Sequence, residues 1–190
     1  MTALFDERLQ VVGLKQHYNL NNIVETGCWH GDGLTFAKKI GIQNLYSCDI
    51  NETYVAECRN LLPNAIIHHQ DSIEFLKEIL PSVTGLTLFW LDAHYPVYYG
   101  LEEENTLTKF PLVEELKLVR ELKSNYQQDV IICDDLRVLA ADNNPYYLPS
   151  IGEQFMVEHS IKDLTDILAD THNFYTMQAD TGNLIFVPKT

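Results

Sequence analysis

A short apolar strand of Asn22, Ile23 and Val24 runs into Glu25-Thr26-Gly27-Cys28-Trp29-His30-Gly31-Asp32-Gly33, and this stretch constrains the fold more than any other. Three glycines between a strand and a helical pattern let the backbone turn tightly and approach a ligand, because no Cβ stands in the way. The helix that follows directs its free N–H groups at whatever occupies the turn. The spacing is Gly-x-x-x-Gly-x-Gly, unlike the Gly-x-Gly-x-x-Gly of dinucleotide sites, and Asp32 stands where a pyrophosphate would have to come. A doubly anionic ligand is therefore disfavoured, and Glu25 favours one that offers a cation or an amine. The competing reading is a glycine turn that only joins strand to helix.

An acid, a glycine and then Gly-x-Gly after the first strand resembles the opening motif of class I S-adenosylmethionine-dependent methyltransferases. The resemblance implies S-adenosylmethionine as cofactor, a sulfonium with an amino-acid tail that tolerates an acidic loop. It implies contacts from Glu25, Gly27, Gly31 and Gly33. The implied fold is α/β: a Rossmann-like, doubly wound, seven-stranded sheet, mostly parallel with a C-terminal antiparallel hairpin and helices on both faces.

The rest of the chain can be set in that order. Residues 1–20 carry Leu4, Leu9, Val12 and Leu14 among charged residues, as a leading amphipathic helix would. In the resembled family such a helix often lies over the pocket. A second helix, residues 34–40, stops at Gly41, and a second strand over residues 45–48 ends in Asp49. A carboxylate there can accept two hydrogen bonds from the vicinal diol of a ribose; the competing role is a helix cap, for which Asn51 is a rival. A third strand, residues 65–69, leads to Asp71 and Ser72. The resemblance implies that Asp71 receives the adenine amino group; Asp71 or Ser72 is also a good N-cap for the next helix, and the two can divide the work, with Ser72 capping beside the cofactor.

Two continuous apolar runs mark strands covered on both faces. Leu86-Thr87-Leu88-Phe89-Trp90-Leu91 stops at Asp92-Ala93-His94, and Val130-Ile131-Ile132-Cys133 stops at Asp134-Asp135. As adjacent strands about 4.8 Å apart, they would bring Asp92, Asp134 and Asp135 together at the ligand edge of the sheet. Three such carboxylates repel one another unless a cation holds them, which makes them candidate ligands for Mg²⁺, or else Mn²⁺. Capping of helices at strand ends is the competing reading. The chain is most similar to metal-dependent small-molecule O-methyltransferases, including a macrocin O-methyltransferase-like group acting on sugar hydroxyls. That group places an acid after the fourth strand and an acidic pair after the fifth. The match departs at Leu136-Arg137, where the group has an aromatic residue, and at His94. On this reading Asp92 or His94 removes the acceptor's proton.

One domain is expected over residues 1–190, with 95–110 and 136–152 as acceptor-side loops and a helix over residues 153–168 before the final hairpin. A net charge of −14, with only 13 Lys and Arg, argues against nucleic acid or an anionic membrane as partner. The expected partner is a small-molecule acceptor, sugar-containing in the resembled group, and a homo-oligomer is compatible with this reading. No apolar run approaches the roughly 20 residues of a membrane span, and Cys28, Cys48, Cys58 and Cys133 lack metal or redox spacing; a cytoplasmic protein with reduced thiols is expected. Two rival functions stay open: a non-catalytic nucleoside-binding module with acidic interaction loops, and a metal-dependent oxygenase or hydrolase using His94, Asp92 and Asp134.

Overall fold

The computed structural model describes residues 3–94, 110–150, 158–177 and 181–189. Its elements alternate almost throughout. They are α1 (Ala3–His17), β1 (Asn22–Thr26), α2 (Asp32–Lys39), β2 (Asn44–Asp49), α3 (Glu52–Leu61), β3 (Ile66–His69), α4 (Ser72–Ile79), β4 (Thr87–Leu91), α5 (Leu112–Leu122), β5 (Val130–Cys133), α6 (Ile161–Leu168), β6 (His172–Met177) and β7 (Asn183–Pro188). The strands form one sheet in the order β3-β2-β1-β4-β5-β7-β6. β1 through β5 run parallel, while β7 is antiparallel to β5 and to β6. This is the doubly wound sheet with a closing hairpin that the sequence predicts, and its order reverses between β1 and β4, where such sheets hold ligands.

Apolar side chains alternate between two cores, one on each face. Val24, Phe89, Leu91, Ile131 and Phe186 point into the core roofed by α4, α5 and α6. Ile23, Leu88, Val130, Ile132 and Ile185 point into the other, under α1, α2 and α3. Burial on both sides explains why these strands read as unbroken apolar runs. Val11 of α1 is buried in the second core, and the Arg8 guanidinium lies 5.4 Å from the Phe36 ring of α2. Among the described residues no helix is long and apolar enough to cross a membrane, and all four cysteines are free and buried.

Three local expectations are corrected. The last helix starts at Ile161, because Ser160 closes a capping box with Asp163; residues 153–157 of the expected helix lie outside the described residues. Asp71, and not Ser72, caps α4: its Oδ1 accepts from the Ile73 and Glu74 N–H groups at 3.0 and 3.1 Å. Gly33 sits inside α2, not in the turn before it. The expected acceptor-side loop over residues 95–110 falls outside the description except for Phe110, which is buried.

Candidate active site at the carboxyl edge of the sheet

The turn after β1 is pinned to its neighbours through the backbone. The Gly27 and Cys28 N–H groups donate to the Cys48 carbonyl at 3.0 and 2.9 Å, and the Asp92 N–H donates to the carbonyl and hydroxyl oxygens of Thr26 at 3.2 and 3.1 Å. Gly27 has φ +84 and faces the Asp92 carbonyl so closely that a Cβ would lie 2.9 Å from that oxygen. Trp29 also adopts a positive φ, 42; its N–H donates to Asp49 Oδ2 at 3.0 Å, and its indole is half exposed. Asp49 Oδ1 accepts from the Asn51 N–H at 2.9 Å, while Asn51 caps α3. The carboxylate of Asp49 thus stands at the lip of the turn, oriented by two N–H groups and still partly exposed.

Glu25, the acid near the end of β1, lies inside the protein. It is 4% exposed, accepts from the Ser47 hydroxyl at 2.9 Å, and lies so near Gly33 that a Cβ there would fall 2.0 Å from its Oε1. Burial raises its pKa to about 8 against the pull of Ser47, and Asp92 and Asp49 add to the rise. With that shift the carboxyl group is mostly protonated at neutral pH. Ser72, expected beside the cofactor, is buried, and its hydroxyl and that of Thr26 are near enough to the buried Glu115 of α5 to lower that acid's pKa. Glu115 Oε1 has no hydrogen-bond partner, and burial raises this acid to about 7. The sequence offered one clue to it: Glu115 falls on the apolar stripe Leu112, Leu116, Val119 at helical spacing, where an acid must be buried.

β4 and β5 do converge their terminal acids. Leu91 pairs with Cys133, the ladder continues through Asp134 N–H to the Leu91 carbonyl at 3.1 Å, and Asp92 and Asp134 follow on neighbouring strands. His94 joins them: its Nε2 lies 2.7 Å from Asp135 Oδ2 and 3.3 Å from Asp92 Oδ1. Burial opposes a charged imidazole, but Asp92, Asp135 and Asp134 outweigh it and raise His94 to about 9. Burial and then Asp134 hold Asp92 well above the usual carboxylate range, and Asp134 is raised mainly by burial.

Asp135 departs from the trio. Its backbone is left-handed, φ 62 and ψ 49, which turns the carboxylate back onto the Arg137 guanidinium, bonded through Nε and, at 3.1 Å, through Nη2. Burial works against the charge of Asp135, yet His94 and Arg137 together lower its pKa. Asp134 Oδ1 is engaged by the Thr181 hydroxyl at 2.9 Å and the Asp135 N–H at 2.6 Å. No group of three or more His, Cys, Asp or Glu side chains among the described residues is arranged to hold a metal ion. The expected Asp92, Asp134, Asp135 ligand set for Mg²⁺ or Mn²⁺ therefore does not fit, because one member is consumed by an ion pair with Arg137. Nor do His94, Asp92 and Asp134, the set of the oxygenase reading, form such a group among the described residues.

No family model matches the chain, and no curated protein matches it in sequence. Solved structures do resemble it. TomG from Streptomyces achromogenes, an O-methyltransferase involved in tomaymycin synthesis and solved with SAM, aligns with a TM-score of 0.65 at 13% identity, over 97% of this chain and 80% of that one. An O-methyltransferase from Bacillus cereus in complex with SAH gives 0.60 at 12% identity, over 97% and 81%. DesVI from Streptomyces venezuelae gives 0.60 at 10% identity, over 97% and 91%. At such identities the likeness establishes a shared fold across nearly the whole chain.

Proposed function

We propose that this chain is an S-adenosylmethionine-dependent methyltransferase that methylates a hydroxyl of a small molecule, with sugar-containing acceptors as the favoured class. The observation that carries the reading is the electrostatic make-up of the glycine turn. Glu25, Asp49 and Asp92 surround it at the switch point of the sheet, and two of the three hold raised pKa values that a cationic ligand would relieve. The residues suit such a cofactor. Asp49 offers acceptors to a ribose diol, Gly27 and Gly31 keep the turn free of side chains, and Asp71 keeps Oδ2 for an amino group because both capping bonds end on Oδ1. When bound, the cofactor supplies an electrophilic methyl group on a sulfonium. The chain's own task is to align the acceptor oxygen and take its proton. His94 or Asp92 is placed for that, with the ring of His94 near Phe110, 6.2 Å between centroids.

Isothermal calorimetry with S-adenosylmethionine in EDTA, in two buffers of different ionisation enthalpy, tests the reading. Binding is expected with net proton release, because the arriving positive charge lowers the pKa values of Glu25, Asp92 and His94. Absence of binding overturns it. Asp49→Ala is expected to weaken binding at least about tenfold, the cost of two lost charge-assisted hydrogen bonds, and unchanged affinity would remove Asp49 from the ribose role.

The same groups set a pH dependence in the free protein. His94 is raised above its unfolded value of 6.5, so its stabilising contribution is complete below about 6.5 and is lost as pH rises through 9. Glu25 and Asp92 are acids raised in the folded state, and they too bind protons on folding and favour the fold more as pH falls through about 8. The melting temperature is expected to fall between pH 6.5 and 9, and His94→Gln to flatten that slope. A slope of opposite sign would contradict the protonation assigned to this edge.

A further inference from the structure

We propose that Arg137, held on Asp135, is a built-in cation that takes the place of a divalent metal in this acid cluster, and that Asp135 is thereby a positioning residue for His94. Adjacent parallel strands deliver Asp92 and Asp134 side by side, and Asp135 follows at once. Such a grouping needs compensating charge wherever it is removed from water. Here the compensation is covalent to the chain. The left-handed backbone at Asp135 is costly for most residues other than glycine, and it holds the carboxylate between the guanidinium two residues on and His94 Nε2. Leu136 N–H to Gly182 carbonyl at 3.0 Å and Arg137 N–H to Thr181 carbonyl at 3.3 Å fix that turn against the start of β7. The planar guanidinium meets the carboxylate through two nitrogens, a geometry that lysine or a hydrated metal would not reproduce.

The second consequence concerns His94. Nε2 is the nitrogen that faces Asp135 and Asp92, so the neutral imidazole keeps its proton there and leaves Nδ1 as the basic atom. Among the described residues Nδ1 has no hydrogen-bond partner. Asp135 selects the tautomer and Arg137 holds Asp135; neither needs to touch the substrate. The site is then independent of divalent cations, and its consequence for methyl transfer rests on the function proposed above.

Electron paramagnetic titration of the full chain with Mn²⁺ alone, reading the component that Asp134→Asn removes, tests the inference without any acceptor. Wild-type protein and Arg137→Lys, which keeps a positive charge, are expected to show no such component below about millimolar Mn²⁺, the weak end of oxygen-ligand sites. Arg137→Gln combined with His94→Ala strips both cations and is expected to bind Mn²⁺ at least about tenfold more tightly than wild type. Tight Asp134-dependent binding by wild type overturns the proposal, as does a folded double variant that gains nothing. Nitrogen-15 spectra of His94 give the second readout: an Nε2–H tautomer in the wild type at high pH, and a mixture in Asp135→Ala. A single unchanged tautomer in Asp135→Ala rejects the positioning role. Failure of S-adenosylmethionine to bind in EDTA would reject the methyltransferase reading and leave the Mn²⁺ result standing.

Discussion

A Gly27→Ala chain is expected to lose about 2–4 kcal/mol of stability, from left-handed backbone cost plus overpacking, and at least about tenfold in S-adenosylmethionine affinity, a loss of about 1.4 kcal/mol. The residue sits at φ +84, and an added Cβ would lie 2.9 Å from the Asp92 carbonyl oxygen and 3.5 Å from Ala93 Cα. Both obstacles are backbone. Relief therefore requires β4 to retreat from β1 at the point where Asp92 is hung from Thr26, so the glycine turn and the acid cluster move together. Gly13→Ala in α1 is the matched control: nothing lies within 4 Å of its Cβ position, and the change should stabilise the helix by roughly 0.5–1 kcal/mol. Urea denaturation and calorimetry on the pair decide the matter. A Gly27→Ala protein with wild-type stability and affinity would mean that the turn is not locked to β4.

This coupling also marks how far the sequence could be read. The strand ends were legible because composition changes abruptly there: Leu91 to Asp92 and Cys133 to Asp134 pass from buried apolar side chains to acids in one step, and in a sheet covered on both faces such a step marks where the strand leaves the core. Gly27 and Asp49 were legible for the same reason, since a tight turn and a strand-terminal acid each answer a local constraint. What could not be read was where a side chain turns once several partners compete for it. Asp135 looked like a third member of an acidic set, but a left-handed φ at one residue sends it to Arg137, and nothing in the letters Asp-Asp-Leu-Arg fixes that φ. Ser72 and Asp71 were both able to cap a helix. The choice went to Asp71 because the helix begins at Ser72, which leaves Asp71 extended before it with its carboxylate on the Ile73 and Glu74 N–H groups. The outcome at Asp135 depends on contacts between elements, which local pattern cannot specify.

At the opposite edge of the sheet, Lys123→Met is expected to destabilise the fold by about 3–5 kcal/mol without affecting cofactor binding, the usual cost of stranding one member of a buried ion pair. Lys123 and Asp129 are both inaccessible to solvent and lie 3.2 Å apart. The ammonium also donates to the Gly85 carbonyl at 3.1 Å and to the Asn125 side chain, while Asp129 Oδ1 accepts from the Thr87 N–H at 2.8 Å. The pair thus ties the end of α5 to the first residues of β4 and β5, where the parallel strands begin. Burial already pushes Asp129 up to about 6 with Lys123 in place, and removal of the lysine raises it further. The sign follows: an acid raised in the folded state gains a proton on folding, so the deficit of Lys123→Met is expected to shrink as pH falls from 8 to 5. Adding Asp129→Asn keeps an acceptor for Thr87 and removes the stranded charge. The double variant should therefore recover most of the loss at pH 8, and a deficit that is neither pH-dependent nor repaired by Asp129→Asn would show that Lys123 acts through packing alone.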